Sequence, residues 1–109
     1  MNQSDIYITI NHLDDYGCTY TFKPGDVITL KKDKENIYDD EAIAAYGRHG
    51  TKCGYVANSV SSVARGTYSS GRIYDKVPDE FSCAVCFVTE EALIAKINEG
   101  KGADKEGER

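Results

Sequence analysis

The sequence has no tryptophan, no long apolar run and no excess of positive charge. Because no apolar run approaches the roughly 20 residues of a membrane helix, we predict no membrane partner. The N-terminal residues lack the basic and apolar regions of a signal peptide. A formal net charge of -5 argues against a general nucleic-acid binder, since such proteins gain affinity by neutralising phosphates. These absences predict a soluble, cytoplasmic protein, and 109 residues predict one domain.

Basic residues are concentrated in one part of the chain, and tyrosine is unusually frequent. Residues 42–76 carry five basic residues and one acidic residue, a balance of +4, whereas the rest of the chain has eight basic and seventeen acidic residues. An acidic protein of this kind can still present a basic face. Eight tyrosines stand against three phenylalanines. Since tyrosine has an apolar body and a polar tip, this excess favours strands, rims and contact surfaces.

Four cysteines raise the question of a metal or redox site. Cys83 and Cys86 form a C-x-x-C pair, but they lie within residues 81–88, which have the composition of a strand. Residues three apart on a strand point to opposite faces, with Cα atoms about 10 Å apart. We therefore interpret the cysteines as reduced core residues of a cytosolic protein, with a zinc or dithiol site as the alternative, and predict no cofactor.

Short apolar and alternating segments predict a mainly β protein. The predicted strands cover residues 5–11, 19–22, 27–31, 42–46, 52–56 and 81–88. Pro24 and Gly25 occupy the central positions that a type II turn favours. Strands this short and this closely spaced indicate a small modified β-barrel of the oligonucleotide-binding (OB) type, with about six strands.

Two helices are predicted in addition to the barrel. A change of period predicts a short inserted helix over residues 57–66. Residues 67–72 form either an anion-binding nest or an ordinary connector, and residues 73–75 are extended. A C-terminal helix is predicted over residues 89–100, because Thr89 can cap it and Leu93, Ile94 and Ile97 form an apolar stripe. The barrel domain would then span residues 5–88, with a flexible segment 1–4 and a disordered tail 101–109.

Residues 36–43 combine an amide, a ring and a carboxylate at a corner between two predicted strands. Asn36, Tyr38 and Asp39 lie within four residues. Asparagine and aspartate favour turns because their side chains bind nearby backbone groups. The same three side chains can also face a ligand, so the segment has two interpretations: a turn or a binding site.

Several segments together resemble the HIRAN domain. They begin at Ile8-Thr-Ile-Asn-His-Leu13 and Phe22-Lys-Pro-Gly25, and continue through Leu30-Lys-Lys-Asp33, Asn36-Ile-Tyr-Asp-Asp-Glu-Ala-Ile43, Gly54-Tyr-Val-Ala-Asn-Ser59 and the Gly66-Thr to Gly71-Arg-Ile-Tyr-Asp75 segment. The resemblance runs from about Asp5 to Val88. It implies a modified OB barrel with inserted helices, found in DNA-repair helicases and as small stand-alone bacterial proteins.

The resemblance also implies a ligand, because the eukaryotic HIRAN domain holds the 3′ end of single-stranded DNA. By position, Tyr38 would pack against the terminal nucleotide, Asp39 would accept a hydrogen bond from the 3′-hydroxyl, and Asn36 would shape the pocket. The residues expected to line or approach the groove are Tyr55, Asn58, Arg65 and Arg72.

Three departures from the eukaryotic pattern weaken the electrostatics of this site. Asp14-Asp15-Tyr16 stands where those domains have Arg-Tyr-Tyr, Tyr55 stands where they have histidine, and Asn58 stands where they have lysine. With no helicase on the chain, strand opening would belong to a helicase or nuclease partner.

Two other functions fit the residues. One is a protein-docking module, which the net charge and the tyrosines favour. The other is a metal-dependent phosphodiesterase using Asp14, Asp15, Asp39 and Asp40. Separately, His12 beside two carboxylates could form a metal or acid/base site in the first loop. Adjacent aspartates on a loop do not by themselves converge on metal ions, so we predict that the chain is not an enzyme.

Overall fold

The computed structural model describes residues 5–11, 22–47, 50–59, 62–90 and 92–98. Six strands form within these ranges. They are β1 (Tyr7–Asn11), β2 (Val27–Lys32), β3 (Ile43–Tyr46), β4 (Lys52–Val56), β5 (Glu80–Val88) and β6 (Ala92–Ile97). A single helical turn, α1 (Ser70–Ile73), lies between β4 and β5 and continues as a 3₁₀ turn over Tyr74–Lys76.

The six strands close into an antiparallel barrel. Their order around the barrel is β1-β4-β3-β2-β5-β6, and β6 pairs back onto β1. Closure pairs both edges of the sheet, so no long strand edge is left exposed by these six strands. The predicted OB-like, mainly β architecture is confirmed.

Alternating residues of each strand fill the barrel interior. Ile8 and Ile10 of β1 point inward, as do Ile28 and Leu30 of β2. Other core members are Phe22, Ile43, Ala45, Cys53, Val56, Ile73, Cys83, Val85, Leu93, Ala95 and Ile97. Burial of each large aliphatic side chain contributes about 1.5–3 kcal/mol. The alternation that predicted β1 and β2 therefore also determines which face of each strand is inside.

The turn before β2 has the predicted conformation. Gly25 has a φ of 97°, which glycine adopts without strain. The Asp26 N–H donates to the carbonyl of Lys23 at 3.1 Å, as a turn over Pro24 and Gly25 requires. Of the predicted strand 19–22, only Phe22 lies within the described residues.

The prediction of a C-terminal helix is wrong, because Ala92–Ile97 forms strand β6. Leu93, Ala95 and Ile97 are buried in alternation with more exposed residues, a period of two. The Thr89 N–H donates to the carbonyl of Ala92 at 2.9 Å, so Thr89 closes a hairpin instead of capping a helix. Pairing with both β1 and β5 overrides the local helical pattern. The barrel thus extends past residue 88.

The predicted helix over residues 57–66 is also wrong. The described part of this segment forms turns, while residues 60 and 61 lie outside the described residues. The helix lies instead in the segment predicted as a loop and an extended stretch. Ser69 caps α1 by accepting from the Arg72 N–H at 3.3 Å, and Ile73 is fully buried in the core. Burial of Ile73 explains why the turn forms there.

The cysteines differ in state. Cys83 and Cys86 are free and lie on β5, as the strand prediction required. Burial raises the pKa of Cys83 to about 12, so its thiol is a poor nucleophile at neutral pH. Cys53 is disulfide-bonded, which corrects the expectation of four reduced thiols.

Several predictions concern residues that the structure does not describe. Residues 1–4, predicted to be flexible, and residues 101–109, predicted to be disordered, lie outside the described residues, as do His12 and the first loop with Asp14, Asp15 and Tyr16. Within the described ranges, no helix combines the length and the apolar character that a membrane crossing needs.

Candidate functional site

An open pocket of about 300 Å³ lies at one side of the barrel. The corner between β2 and β3 forms one wall, and the end of β4 with the segment after it forms the other. The lining residues are Asn11, Asn36, Tyr38, Asp39, Ala42, Tyr55, Val56, Ala57, Asn58, Ser59 and Ser62. Five of the seven predicted site residues therefore come together around one cavity.

The corner is a hydrogen-bonded turn. Asn36 Oδ1 accepts from the backbone N–H groups of Tyr38 at 2.8 Å and of Asp39 at 3.0 Å. Asp39 Oδ1 accepts from the Glu41 N–H at 2.9 Å. The turn interpretation is confirmed, and the residues that make the turn also line the pocket, where a role in binding stays a prediction. The corner is organised before any ligand arrives.

Tyr38 projects from this corner into solvent. Its side chain is 91% exposed, and the neighbouring Ile37 is 84% exposed. Tyrosine is usually of intermediate burial in folded proteins, so exposure of nearly the whole residue is unusual. Here the backbone beneath the ring is fixed by Asn36 while the ring itself stays accessible. The arrangement presents a flat apolar surface at the mouth of the pocket.

Asn58 connects the corner to α1. Its Nδ2 donates to Asp39 Oδ2 at 3.1 Å, and its Oδ1 accepts from the Gly71 N–H at 2.7 Å. Both ends of the amide are thus engaged by the protein. Asn58 was predicted as a binding residue, and its geometry is that of a residue that positions Asp39.

Gly71 and Ser70 bring α1 close to the corner. A Cβ on Gly71 would lie 2.5 Å from Glu41 Oε1 and 3.2 Å from Asn58 Oδ1, so only glycine fits this approach without displacing a neighbour. The Ser70 hydroxyl is buried and donates to the carbonyl of Glu41. Through these contacts, α1 packs against the corner that forms one wall of the pocket.

The Asp39 carboxylate retains acceptor capacity. Each oxygen accepts one hydrogen bond within the protein, from Glu41 N–H and from Asn58 respectively. Two carboxylate oxygens offer about four acceptor positions. A hydroxyl donor entering the pocket can therefore bind Asp39 without displacing its existing partners.

Tyr55 contributes its ring to the opposite wall, while its hydroxyl is bound to the protein. The hydroxyl donates to Asp33 Oδ2 at 2.6 Å and accepts from Lys52 Nζ at 3.1 Å. This hydrogen bond from Tyr55 lowers the pKa of Asp33. Burial, and then the hydrogen bond to Asp33, raise the pKa of Tyr55. Asp33 and Lys52 are site neighbours that sequence reasoning did not find.

The two predicted arginines do not line the pocket. Arg65 is exposed in the turn before Gly66, and the Arg72 guanidinium lies 4.5 Å from the ring centre of Tyr68. Their predicted approach to the groove stays a prediction.

No group of three or more histidine, cysteine, aspartate or glutamate side chains within the described ranges is placed to hold a metal ion. Asp39 and Asp40 are therefore not joined by a third such ligand in this part of the chain. The two aspartates of the first loop lie outside it.

The comparisons with known proteins identify the family. The family model of the HIRAN domain matches residues 7–76, which include the corner, the pocket walls and α1. The chain belongs to the HIRAN domain family. HIRAN domains are known in general as DNA-binding modules.

A solved structure supports the same fold. The crystal structure of the HIRAN domain of human HLTF is similar to this HIRAN domain with a TM-score of 0.59 at 17% sequence identity. The match covers 85% of this chain and 74% of that chain. No curated protein matches the chain. At 17% identity, the likeness to the human domain shows a shared architecture.

Proposed function

We propose that this domain binds nucleic acid by holding the free 3′ end of single-stranded DNA, with no catalytic activity of its own. One observation carries the proposal: an exposed tyrosine ring and a carboxylate with acceptor capacity border the same open pocket. The HIRAN family membership supports DNA as the ligand.

Tyr38 would stack on the terminal base. Stacking on an aromatic side chain contributes about 1–3 kcal/mol per base and tolerates any base, since every base has a flat π face. The fixed corner beneath Tyr38 reduces the entropy lost when the ring becomes immobilised. The pocket thus supplies affinity without base specificity.

Asp39 would distinguish a free end from a continuing strand. A carboxylate accepts a hydrogen bond from a hydroxyl but repels a phosphate, so a 3′-hydroxyl is favoured and a 3′-phosphate is rejected. Hydrogen bonds to charged groups contribute about 1.5–3 kcal/mol, which corresponds to roughly 10-fold to 150-fold in affinity.

The test compares two 5′-labelled oligothymidylates that differ only at the 3′ terminus. We expect fluorescence polarisation to show saturable binding of the 3′-hydroxyl strand and at least about tenfold weaker binding of the 3′-phosphate strand. Asp39→Ala should remove this preference. Asp40→Ala is the matched control, because Asp40 is an exposed neighbour that does not line the pocket. Equal affinity of the wild-type domain for both strands would contradict the proposal.

The absence of catalysis is tested separately. Each oxygen of Asp39 accepts one hydrogen bond, from Glu41 N–H and from Asn58, which orients the carboxylate and leaves acceptor positions for a hydroxyl. We expect no cleavage of single-stranded or duplex DNA with Mg²⁺ or Mn²⁺. Strand opening or cutting would then come from a helicase or nuclease partner.

Exposed apolar side chains favour docking of a protein as a second candidate function. Val27 of β2 is 60% exposed, and Phe87 and Val88 at the end of β5 are 64% and 46% exposed. Exposed apolar groups of this kind mark interaction sites when they cluster. A partner recovered by pull-down should resist nuclease and the Tyr38→Ala change, and should be lost with Phe87→Ser. Recovery that depends on nucleic acid would argue against docking.

A further inference from the structure

The outer surface of β2, β3 and β4 carries two lysines and two tyrosines next to the pocket. Ile28 and Leu30 of β2 and Ile43 and Ala45 of β3 point into the core, so the residues that alternate with them point outward. These outward residues include Lys31 and Tyr46, and Lys52 and Tyr55 join them from β4. We call these four residues the lysine–tyrosine face.

A β-bulge places both β4 residues on this face. Residues three apart on a regular strand point to opposite sides. Here Ala45 pairs with Gly54 and Tyr46 pairs with Lys52, so Cys53 is an extra residue without a partner on β3. The bulge returns Lys52 to the side of Tyr55, and the ammonium of Lys52 lies 5.1 Å from the centre of the Tyr55 ring.

The face is continuous with the pocket. The strand register aligns Asn11, Tyr55, Ala44 and Lys31 in one row across β1, β4, β3 and β2. Asn11 and Tyr55 line the pocket. Since neighbouring strands lie about 4.8 Å apart, Lys31 is roughly 10 Å from Tyr55 along this row. A nucleic-acid strand that leaves the pocket across β4 and β3 would reach Lys31 on β2.

Lys31 is an exposed cation on this face. Its ammonium lies 5.1 Å from the centre of the Tyr46 ring, and it makes no ion pair with any carboxylate of the described residues. By contrast, Lys32 and Lys34 both pair with Asp79, at 3.8 Å and 2.7 Å. The single carboxylate of Asp79 compensates part of the charge of Lys32 and Lys34, whereas Lys31 has no such ion pair within the described residues.

Two carboxylates, Asp33 and Glu80, border the lysine–tyrosine face. Asp33 follows β2 and accepts the hydrogen bond of the Tyr55 hydroxyl at 2.6 Å. Glu80 of β5 is the cross-strand partner of Lys31, so the two lysines of the face are balanced by two carboxylates and the formal charge is zero. Lys31 lies at the end of the row away from Tyr55, where the position of Ala44 separates it from Tyr55, and it makes no ion pair with Glu80.

We propose that the lysine–tyrosine face binds the sugar-phosphate backbone of the nucleotides that precede the 3′ end, with Lys31 as its principal phosphate contact. Single-strand binders combine a basic track with aromatic side chains in this way. The direction of the strand rests on the proposed function, because the pocket must hold the 3′ terminus for the preceding nucleotides to lie over β3 and β2. The eukaryotic domains have an arginine in the first loop and a lysine at the position of Asn58, and in this chain the lysines of the face would replace those cations.

The experiment measures the binding of 3′-hydroxyl oligothymidylates of three and ten nucleotides at several salt concentrations. The variants are Lys31→Gln, Lys31→Glu and the control Lys96→Gln. Lys96 lies on β6, opposite β3 in the barrel order, and pairs with Asp5 at 3.9 Å. Each Gln variant removes one positive charge, so the two proteins have the same net charge.

We expect Lys31→Gln to weaken the decamer several-fold and to lower the slope of log K against log salt by about 0.7, the value for one phosphate contact on a single strand. Lys31→Glu should weaken the decamer further. The trimer should bind all variants alike, and Lys96→Gln should resemble the wild-type domain for both lengths.

The outcomes separate the two proposals. If the domain prefers a free 3′-hydroxyl but the decamer slope is the same in Lys31→Gln and the wild-type domain, the lysine–tyrosine face is not the track and only the pocket proposal stands. If Lys31→Gln lowers the slope while blocked and free ends bind equally, the face binds single strands and the 3′-end proposal fails. Equal losses in Lys31→Gln and Lys96→Gln would show a net-charge effect and overturn the inference.

Discussion

Asn58 links Asp39 to Gly71 by two hydrogen bonds. Replacing it should reduce both the stability of the domain and its preference for a free 3′ end. Asn58→Ala removes the bond to Asp39 Oδ2 and the bond from the Gly71 N–H. Each net hydrogen bond contributes about 0.5–1.5 kcal/mol, so the free energy of unfolding should fall by about 1–3 kcal/mol. For a domain of this size, a loss of about 2 kcal/mol lowers Tm by roughly 10 °C.

The same substitution should change ligand discrimination. Without Asn58, the Asp39 carboxylate keeps only the Glu41 N–H as a partner and can rotate away from the pocket. We expect the ratio of affinities for 3′-hydroxyl and 3′-phosphate strands to fall toward one. Thermal denaturation followed by circular dichroism measures the first effect, and fluorescence polarisation with the two strands measures the second.

A matched asparagine provides the control. Asn98 donates from its side chain to Ser82 Oγ at 3.0 Å, next to the β5–β6 pairing and away from the pocket. Asn98→Ala should lower Tm by about half as much, since one hydrogen bond is lost, and should leave end discrimination intact. The reasoning is refuted if Asn58→Ala keeps the wild-type Tm, or if it loses stability but discriminates between the two strands as well as Asn98→Ala does.

Three further predictions follow from the site. Tyr38→Ala should weaken single-strand binding by about 1–3 kcal/mol, seen by fluorescence polarisation, with Tm unchanged because the ring is 91% exposed; Tyr38→Phe should bind normally. Asn36→Ala should weaken binding by loosening the corner, whereas Asn36→Ser, which keeps an acceptor oxygen, should restore part of the loss; equal binding by both variants would contradict this role. The Tyr55 hydroxyl lowers the pKa of Asp33, so its stabilising effect is present above about pH 4 and is lost as the pH falls through the lowered value. Urea denaturation at pH 5 and pH 2.5 should show that this acid-dependent loss is smaller in Tyr55→Phe than in the wild-type domain, and an identical loss would exclude the mechanism.

The residues of the corner were predictable because their chemistry is local. Asn36, Tyr38 and Asp39 lie within four positions, and the backbone bonds of Asn36 span two and three residues. The turn at Gly25 is local for the same reason. That these residues also line a pocket with Tyr55 and Asn58 was suggested by the family resemblance, and their roles in binding remain predictions.

The partners of Asn58 were not predictable in this way. Its bonds reach Asp39, 19 residues earlier, and Gly71, 13 residues later. No local pattern reports which of two distant groups an amide will join. The same holds for the hydroxyl of Tyr55 and Asp33, which are 22 residues apart.

The sequence by itself determined the strands whose inward residues alternate, the glycine turn and the composition of the corner, because each depends on neighbours within a few residues. Tertiary structure alone decided that Ala92–Ile97 is a strand and that α1 forms at Ser70, since one segment must close the barrel and the other must bury Ile73. It also decided, through the bulge at Cys53, that Lys52 and Tyr55 share one face. Pairing between distant segments sets these features, and its energy exceeds the small local preferences that a sequence displays.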